Sequence, residues 1–277
     1  MKTVVYLVDN GSLRPEAAFE LRRLAGELSE RTGERVEPVS LLHSHKIDPA
    51  RLGGVPATIV RRRLKESVAE GVRRVVVLPL FLAPSRAITE YLPELLAEAR
   101  EMAPGLSCVT ADPLAGAEAD APDVRLAEIL ADHVRATMAS HRFAAPKVAL
   151  VDHGSPVEVV TRVRDAVARQ LAERLGGRVA AVTAASMERR EGPEYAFNEP
   201  LLERVDGVEG FGGGDLLAAM FFLLPGRHAG PGGDVAGILE GLRARAAYGR
   251  IAMTPLLSQH LRLLELLQDR LEAALKR

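Results

Sequence analysis

The sequence has little of what several protein classes require. Its 277 residues include one cysteine, Cys108, and no tryptophan, and aromatic residues make up 4% of the chain. A single cysteine excludes an internal disulfide framework and any metal site built from several cysteines, and it favours a reducing cytoplasm. The low aromatic content leaves few surfaces on which the bases of single-stranded nucleic acid could stack.

Charge of one sign and long apolar runs are also missing. Lys and Arg number 36 against 37 Asp and Glu, so the net charge is -1, which removes the electrostatic case for binding nucleic acid or an anionic membrane. The longest strongly apolar run, 216–224, is far shorter than the ~20 residues of a membrane-spanning helix. The first residues are typical of a strand rather than a signal peptide. We therefore expect a cytoplasmic protein with no nucleic-acid or membrane partner.

Short apolar runs alternate along the chain with segments of helical periodicity. This alternation is typical of an α/β fold in which buried parallel strands are connected by surface helices. The predicted strands are 3–8, 36–42, 75–81, 106–111, 148–152, 179–184, 216–223 and 251–253. The predicted helices are 15–30, 55–70, 88–102, 124–140, 157–175, 194–205, 234–246 and 256–275.

The second half of the chain repeats the first. Three short motifs recur at nearly constant spacing, which is stronger evidence for duplication than a shared element order. The paired residues and their offsets are Asn10 and His153 (143), Ala87 and His228 (141), and Pro113 and Pro255 (142). We predict two domains, 1–142 and 147–277, each a four-stranded parallel sheet flanked by helices.

Two histidines follow strands of the second repeat. His153 ends the first predicted strand of this repeat, and His228 ends the third, so both are expected at the carboxyl edge of the sheet, where α/β proteins bind ligands. The first repeat has Asn10 and Ala87 in these places. A duplicated domain in which one copy kept a site would show this difference.

His133 and His141 are expected to be structural or surface residues. His43 and His45 have the i, i+2 spacing that places two side chains on one side of a strand; a structural role is favoured for them over adventitious metal binding, because their repeat lacks the two histidines that follow strands. For His260 two placements stay open, at the border of the crevice or as a capping or surface residue.

A carboxylate follows the second strand of the same repeat. Glu188 is the first choice for it, and Glu191 and Glu194 are the alternatives if the loop register differs. Two neutral imidazoles and a carboxylate suit Co²⁺, Fe²⁺, Ni²⁺ or Zn²⁺. The competing interpretation is that these acids belong to a solvated loop. Nearby, Gly154 and Gly226 would allow close backbone approach, and Ser155 would cap the following helix.

These motifs resemble those of the class II chelatases of tetrapyrrole biosynthesis, which include the sirohydrochlorin cobaltochelatases and ferrochelatases. The matching segments of the second repeat are DHGSP at 152–156, LPGRH at 224–228 and TPLLSQH at 254–260, and the first repeat contributes DNGSLRPE, VVVLPLFLAPSRA and TEYLPELL. The resemblance covers nearly the whole chain as two tandem flavodoxin-like, chelatase-like domains. One departure is Asp152, where glycine is usual; it would orient His153 or alter metal choice.

The resemblance implies a lyase that inserts Co²⁺ or Fe²⁺, with Ni²⁺ a third candidate, into sirohydrochlorin or a related tetrapyrrole for cobalamin or siroheme synthesis. The metal would be a substrate and no cofactor would be tightly bound. His153, His228 and Glu188 would bind the metal and take up pyrrole protons. The expected substrate-binding residues are Ser155, Gly226, Arg227 and Arg86, with Arg14, Arg189 and Arg190 as further cations for its carboxylates. A metal or tetrapyrrole carrier without turnover stays an alternative, a periplasmic-type receptor is disfavoured, and monomer and homodimer stay open.

Overall fold

The chain forms two compact units. The structure is a computed structural model that describes residues 2–277. Unit 1 contains the residues up to Ala117 together with Leu261–Arg277, and unit 2 is the continuous segment Glu118–His260. Within the described residues, no helix is both long enough and apolar enough to cross a membrane.

Unit 1 is built on a four-stranded parallel sheet with the order β2-β1-β3-β4. The strands are β1 (Thr3–Asp9), β2 (Val36–Ser40), β3 (Arg74–Pro79) and β4 (Ser107–Thr110). The helices are α1 (Pro15–Thr32), α2 (Val60–Ala69), α3 (Leu92–Met102) and, from the end of the chain, α7 (Arg262–Leu275). A π-helical turn, Ala87–Tyr91, leads into α3.

Unit 2 repeats this sheet with the order β6-β5-β7-β8, also all parallel. The strands are β5 (Lys147–Asp152), β6 (Ala181–Ser186), β7 (Asp215–Met220) and β8 (Arg250–Met253). The helices are α4 (Val124–His141), α5 (Glu158–Leu175) and α6 (Asp234–Ala244). The predicted α/β fold with two four-stranded parallel sheets is confirmed.

The apolar runs of the sequence form the buried strands. From Val4 to Asp9 every residue of β1 is buried, as is every residue from Val148 to Asp152 in β5. These central strands are covered by helices on both faces, which explains why they are continuously apolar rather than alternating.

Three predicted helices differ from the structure. The segment 194–205 is not an α-helix but two 3₁₀ turns, Pro193–Asn198 and Leu202–Gly207, because Pro200 lies between them and cannot continue a helix. The segment 55–70 becomes helical only at Val60, since the carbonyl of Thr58 still accepts a bond from the N–H of Ser40, as an extended chain does. The segment 256–275 becomes α-helical only at Arg262.

The last helix of each sequence repeat packs in an unexpected place. Helix α4 packs on α5, β7 and β8 in unit 2, and α7 packs on α1 and β3 in unit 1. Both helices present apolar stripes that need cover, such as Leu126 and Leu130 in α4 and Leu263 and Leu267 in α7. The boundaries 1–142 and 147–277 stay a prediction about the repeats, while the compact units group the chain differently.

Candidate active site

His153 and His228 lie side by side in unit 2. His153 directly follows β5, and His228 lies on the loop after β7, the strand paired with β5 in the sheet. The two ring centroids are 4.6 Å apart with the planes at 79°. This is the point where the strand order reverses direction, which is the usual ligand-binding position of an open parallel sheet.

The hydrogen bonds of the two imidazoles leave the same nitrogen of each ring available. The Nδ1 atom of His153 lies 3.0 Å from the carbonyl oxygen of Gly154, and that of His228 lies 2.7 Å from Oδ2 of Asp234. Because both partners are acceptors, the proton of each neutral ring is assigned to Nδ1. Each Nε2 then carries a lone pair that can bind a metal ion or a proton.

Glu188 completes the group from the third strand end. It follows β6 by two residues, and its Oε1 lies 3.5 Å from Nε2 of His153. The backbones of the two loops touch: Gly154 has a φ of +88°, and a Cβ placed on it would lie 1.9 Å from the carbonyl oxygen of Glu188. Of the two alternatives, Glu191 is exposed and the carboxylate of Glu194 lies against Gly192.

The three side chains form an open rather than a closed set of ligands. Among residues 2–277, no three His, Cys, Asp or Glu side chains stand close enough to hold a metal ion as they are. Ligand atoms about 2.1 Å from one ion lie roughly 3.0 to 3.4 Å apart, so a small movement of the Glu188 side chain would bring it and His153 onto one ion. Glu188 is 59% exposed and His153 46%, which leaves room for that movement and for a substrate.

Asp234 is a site residue that the sequence reasoning missed. It is the first residue of α6, and besides binding His228 it lies 3.5 Å from Nε of Arg227. The N–H groups of Asp234 and Val235 donate to the carbonyls of Arg227 and His228 at 3.1 and 3.2 Å, so the start of the helix fixes the histidine loop. The available signal was an acidic residue at a helix start six positions after a candidate ligand.

Two neighbouring residues, Asp152 and Ser155, differ from their predicted roles. Asp152 does not bond His153; its Oδ1 accepts from the hydroxyl of Ser186 at 2.7 Å and from the N–H of Gly154 at 3.1 Å, and burial raises the pKa of its carboxyl. The hydroxyl of Ser155 accepts from the N–H of Val157 before α5 begins rather than capping its first turn.

A close backbone approach is present at Gly233, while the one expected at Gly226 stays a prediction. A Cβ on Gly233 would lie 2.9 Å from the carbonyl of His228. The N–H of Gly226 donates to the carbonyl of Ala229 at 3.1 Å within the same loop. The histidine loop is therefore held close against the start of α6.

The predicted arginines differ in how firmly the protein holds their side chains and in how exposed these are. Arg189 is engaged, with Nε 2.7 Å from a Glu199 oxygen and Nη1 donating to the carbonyls of Arg190 and Gly192. The Arg227 side chain is 79% exposed, and Arg190 is also exposed. In unit 1, Arg14 is exposed, and Arg86 is exposed and lies 3.7 Å from Glu90. Of the cations proposed for unit 2, Arg227 and Arg190 have side chains open to an anionic ligand.

The same positions in unit 1 carry no metal ligands. Equivalent ladder bonds join the N–H of Leu42 to the carbonyl of Asn10, and the N–H of Glu188 to the carbonyl of His153. Leu42 therefore stands where unit 2 has Glu188, which adds a third replacement to Asn10 and Ala87. A cavity of about 320 Å³ is present here, lined by these three residues and by Leu41, Arg86, Glu90, Tyr91 and Glu94.

The remaining histidines lie elsewhere. His43 has a φ of 64° and His45 lies in a 3₁₀ turn, so the expected placement of both on one side of a strand is wrong. His133 is buried and packs edge to face on His260, with ring centroids 5.4 Å apart. Burial lowers the pKa of His133, which favours its neutral form.

Comparisons with known proteins agree with the resemblance found in the sequence. Residues 4–135 match the model of the CbiX family. No curated protein matches the chain. Among solved structures, SirB from Bacillus subtilis with Fe³⁺ has a TM-score of 0.67 at 16% identity, covering 99% of this chain and 96% of its own.

Two further structures extend this comparison. The sirohydrochlorin chelatase SirB from Bacillus subtilis subspecies spizizenii, in complex with cobalt, has a TM-score of 0.67 at 14% identity, with coverages of 99% and 95%. DR2241 from Deinococcus radiodurans, described as a multi-domain protein with structural similarity to chelatases, has a TM-score of 0.58 at 16% identity; the match covers 97% of this chain and 54% of that one. The predicted resemblance to the tetrapyrrole chelatases is confirmed by these matches, and at such identities the shared structure is one of fold.

Proposed function

We propose that this protein, whose residues 4–135 match the CbiX family and whose fold is that of SirB, inserts a divalent metal ion into sirohydrochlorin or a related tetrapyrrole. The observation that carries the proposal is the pair of imidazoles, His153 and His228, 4.6 Å apart at the switch point of the second sheet with Glu188 beside them. The first repeat matches the family model, yet its equivalent positions hold no ligands. The reaction is therefore assigned to unit 2.

The geometry suits the transfer of an ion rather than its storage. A chelatase must bind its metal weakly enough to release it, and an open set of two nitrogens and one oxygen meets that need. His153, His228 and Glu188 hold the incoming ion until it passes to the macrocycle, which leaves Nε2 of His228 available for a proton. This open arrangement favours a chelatase over a carrier, which would need a more complete ligand set.

The two protons displaced from the macrocycle need an acceptor. Insertion of M²⁺ breaks two pyrrole N–H bonds, forms bonds from the metal to the ring nitrogens and releases two H⁺. His228 is the best placed base, because its Nε2 is available and the imidazolium that it becomes is stabilised by Asp234 at 2.7 Å. It passes each proton to solvent, to which its side chain is 32% exposed.

The substrate's carboxylates require cations near the site. Arg227, which adjoins His228, is the first candidate, and Arg190 is the second. Arg189 is assigned to holding its own loop. Ser155 and Gly226 stay predicted substrate contacts, and Arg86 and Arg14 stay candidates in unit 1.

The finer assignments are part of this proposal. Co²⁺ and Fe²⁺ are the expected metals, with Ni²⁺ third, because of the resemblance to sirohydrochlorin cobaltochelatases and ferrochelatases. The general affinity order of divalent ions does not select them, since it places Ni²⁺ above both and the cell sets their supply. The enzyme would be a lyase of cobalamin or siroheme synthesis. A cytoplasmic location and the absence of a tightly bound cofactor stay predictions, and monomer and homodimer both stay open.

The test is an anaerobic absorbance assay with sirohydrochlorin and Co²⁺, Fe²⁺ or Ni²⁺. Wild-type protein should accelerate insertion, and His153→Ala and His228→Ala should each lower the rate about 100-fold or more. His45→Ala, which removes an exposed histidine of unit 1, is the matched control and should keep the full rate. Tight metal binding without acceleration would instead indicate a carrier, and rates unaffected by both site substitutions would refute the assignment to unit 2.

A further inference from the structure

A cluster of buried polar side chains lies beneath the two loops that carry His153 and Glu188. Its members are Asp152, Arg164, Ser186 and Asn198, with exposed fractions of 6%, 1%, 0% and 0%. An arginine buried to this extent is rare and costs desolvation free energy unless it is fully paired. Asp152 and Ser186 end β5 and β6, whereas Arg164 and Asn198 lie outside the sheet.

Arg164 contacts the carboxyl ends of both β5 and β6 from the interior of unit 2. It projects from α5 and donates through Nη1 to the hydroxyl of Ser186 and to the carbonyl of Asn198, the latter at 3.0 Å. Nη1 also lies 3.8 Å from Asp152. Ser186 in turn donates to Asp152, which accepts the N–H of Gly154. The side chains of Ser186 and Asp152 therefore connect the guanidinium to the backbone of the His153 loop.

Asn198 holds the same loop from its other side. Its Oδ1 accepts the N–H of Ser155 at 2.8 Å, and its Nδ2 donates to the carbonyl of Ser155 at 2.9 Å. The amide thus pairs with both backbone groups of one residue, as a neighbouring strand would. Thr161 donates to the same Oδ1 at 3.3 Å, and Nδ2 also donates to the carbonyl of Tyr195 at 3.1 Å.

The first repeat provides an internal comparison. Helices α1 and α5 both have 18 residues and begin 143 positions apart, so Arg164 corresponds to Leu21 and Thr161 to Ala18. The N–H of Ser40 donates to the carbonyl of Thr58, and the N–H of Ser186 donates to the carbonyl of Pro200 in the same way. Two residues before these carbonyls, the first repeat has the exposed Pro56 and the second has Asn198.

Asp9 and Ser40 are kept as the counterparts of Asp152 and Ser186. The first repeat, which lacks the histidines, therefore keeps the fold, the carboxylate and the serine. Its residues opposite Arg164, Thr161 and Asn198 cannot form the same hydrogen bonds. Because that repeat folds with leucine in place of the arginine, the fold itself does not require the network.

We propose that Arg164 and Asn198 are positioning residues, which fix the loops of His153 and Glu188 so that the two imidazoles and the carboxylate face one point. They contact neither the metal nor the macrocycle. The role rests on the proposed function for its catalytic part, but its effect on metal binding holds for any metal-binding use of these residues.

The first variant is Arg164→Leu, which installs the residue that the first repeat carries at this position. We expect Co²⁺ affinity, measured from the visible absorption of the bound ion, and kcat for insertion each to fall about tenfold or more, as for partners that orient metal ligands. KM for the tetrapyrrole should stay within about twofold, because Arg227, the first candidate for its carboxylates, lies outside the network. Arg164→Lys keeps the charge and one bond and should recover part of the loss.

The control is Arg169→Leu, which removes an exposed arginine from the same helix and should change neither quantity. Circular dichroism and thermal unfolding show whether each variant is folded. If Arg164→Leu does not fold, Asn198→Ala takes its place with the same expectation.

The proposal is overturned if folded Arg164→Leu and Asn198→Ala bind Co²⁺ and turn over as the wild type does, or if their losses equal only the unfolded fraction. If the wild type shows no insertion at all, the proposed function fails, while the ratios of Co²⁺ affinity still decide the positioning role.

Discussion

Asp9 offers a direct test of how the two units differ in electrostatics. It ends β1 and is 7% exposed, its carboxylate accepts from Ser40 and from the N–H of Gly11, and its Oδ1 atom has no hydrogen-bond partner within residues 2–277. Where unit 2 has Arg164, unit 1 has Leu21, so no cation offsets the burial. Burial therefore raises the pKa of the Asp9 carboxyl to about 6.

The direction of the effect on stability follows from the two pKa values. In the unfolded chain Asp titrates near 3.9, so below about pH 4 both states are protonated, between about 4 and 6 only the folded state is, and above 6 both are ionised. A shift of roughly two units corresponds to about 3 kcal/mol. Asp9 thus favours the folded state most at acid pH, and this contribution is lost as the pH rises through 6.

The substitution Asp9→Asn removes the titration and keeps the shape. We expect the free energy required to open unit 1, taken as the variant minus wild type, to increase by about 3 kcal/mol between pH 4 and pH 7.5, because only the wild type loses stability over this range. Hydrogen exchange of the β1 amides measures this for unit 1 alone. Glu30→Gln, at an exposed position of α1, controls for the loss of a carboxylate. A difference between Asp9→Asn and wild type that stays constant with pH would refute the reasoning.

Three further substitutions test single contacts. Asp234→Asn should lower kcat in the absorbance assay about 10- to 100-fold, because it weakens the acceptor of the Nδ1 proton of His228, and it should leave thermal stability unchanged. An unchanged kcat would contradict this role. Gly154→Ala should abolish insertion, since its Cβ would overlap the carbonyl oxygen of Glu188. Its control is Gly210→Ala, where φ is +72° and the space is open; this variant should lose about 1 kcal/mol of stability and keep its activity. Equal activities of the two variants would contradict the overlap. Tyr6→Phe should cost about 1 to 2 kcal/mol in urea unfolding, because the hydroxyl of Ser67, 2.6 Å away, loses a buried partner; no change in midpoint would contradict it.

The sequence contains enough information to predict the sheets and the place of the histidines. Continuous apolar runs mark buried parallel strands, and a residue that follows such a strand lies at the carboxyl edge whatever the details of the loop. His153 and His228 are adjacent because β5 and β7 are paired. The spacing of the repeats relates the two histidines to Asn10 and Ala87, and so indicates from the sequence alone which repeat carries the pair. These inferences depend on strand order and periodicity, which are robust.

Features that depend on loop geometry or on distant packing were not predictable from the sequence. The bond from Asp234 to His228 needs the loop conformation between them, and periodicity does not describe a loop. The segment 194–205 has helical spacing, but Pro200 and the bonds of Asn198 favour two short turns. Nor does an amphipathic stripe show which sheet it will cover, so the destinations of α4 and α7 appear only in three dimensions.

The placement of those two helices has a consequence for synthesis. Unit 2 is one uninterrupted segment, Glu118–His260, whereas the sheet of unit 1 awaits α7 from the other end of the chain. On the ribosome, the unit that is begun first must therefore be completed last. Until α7 has been synthesised, the apolar face of β3 that this helix covers stays exposed. A chaperone that binds exposed aliphatic surface should therefore be found on nascent chains in which the histidine-bearing unit is already complete.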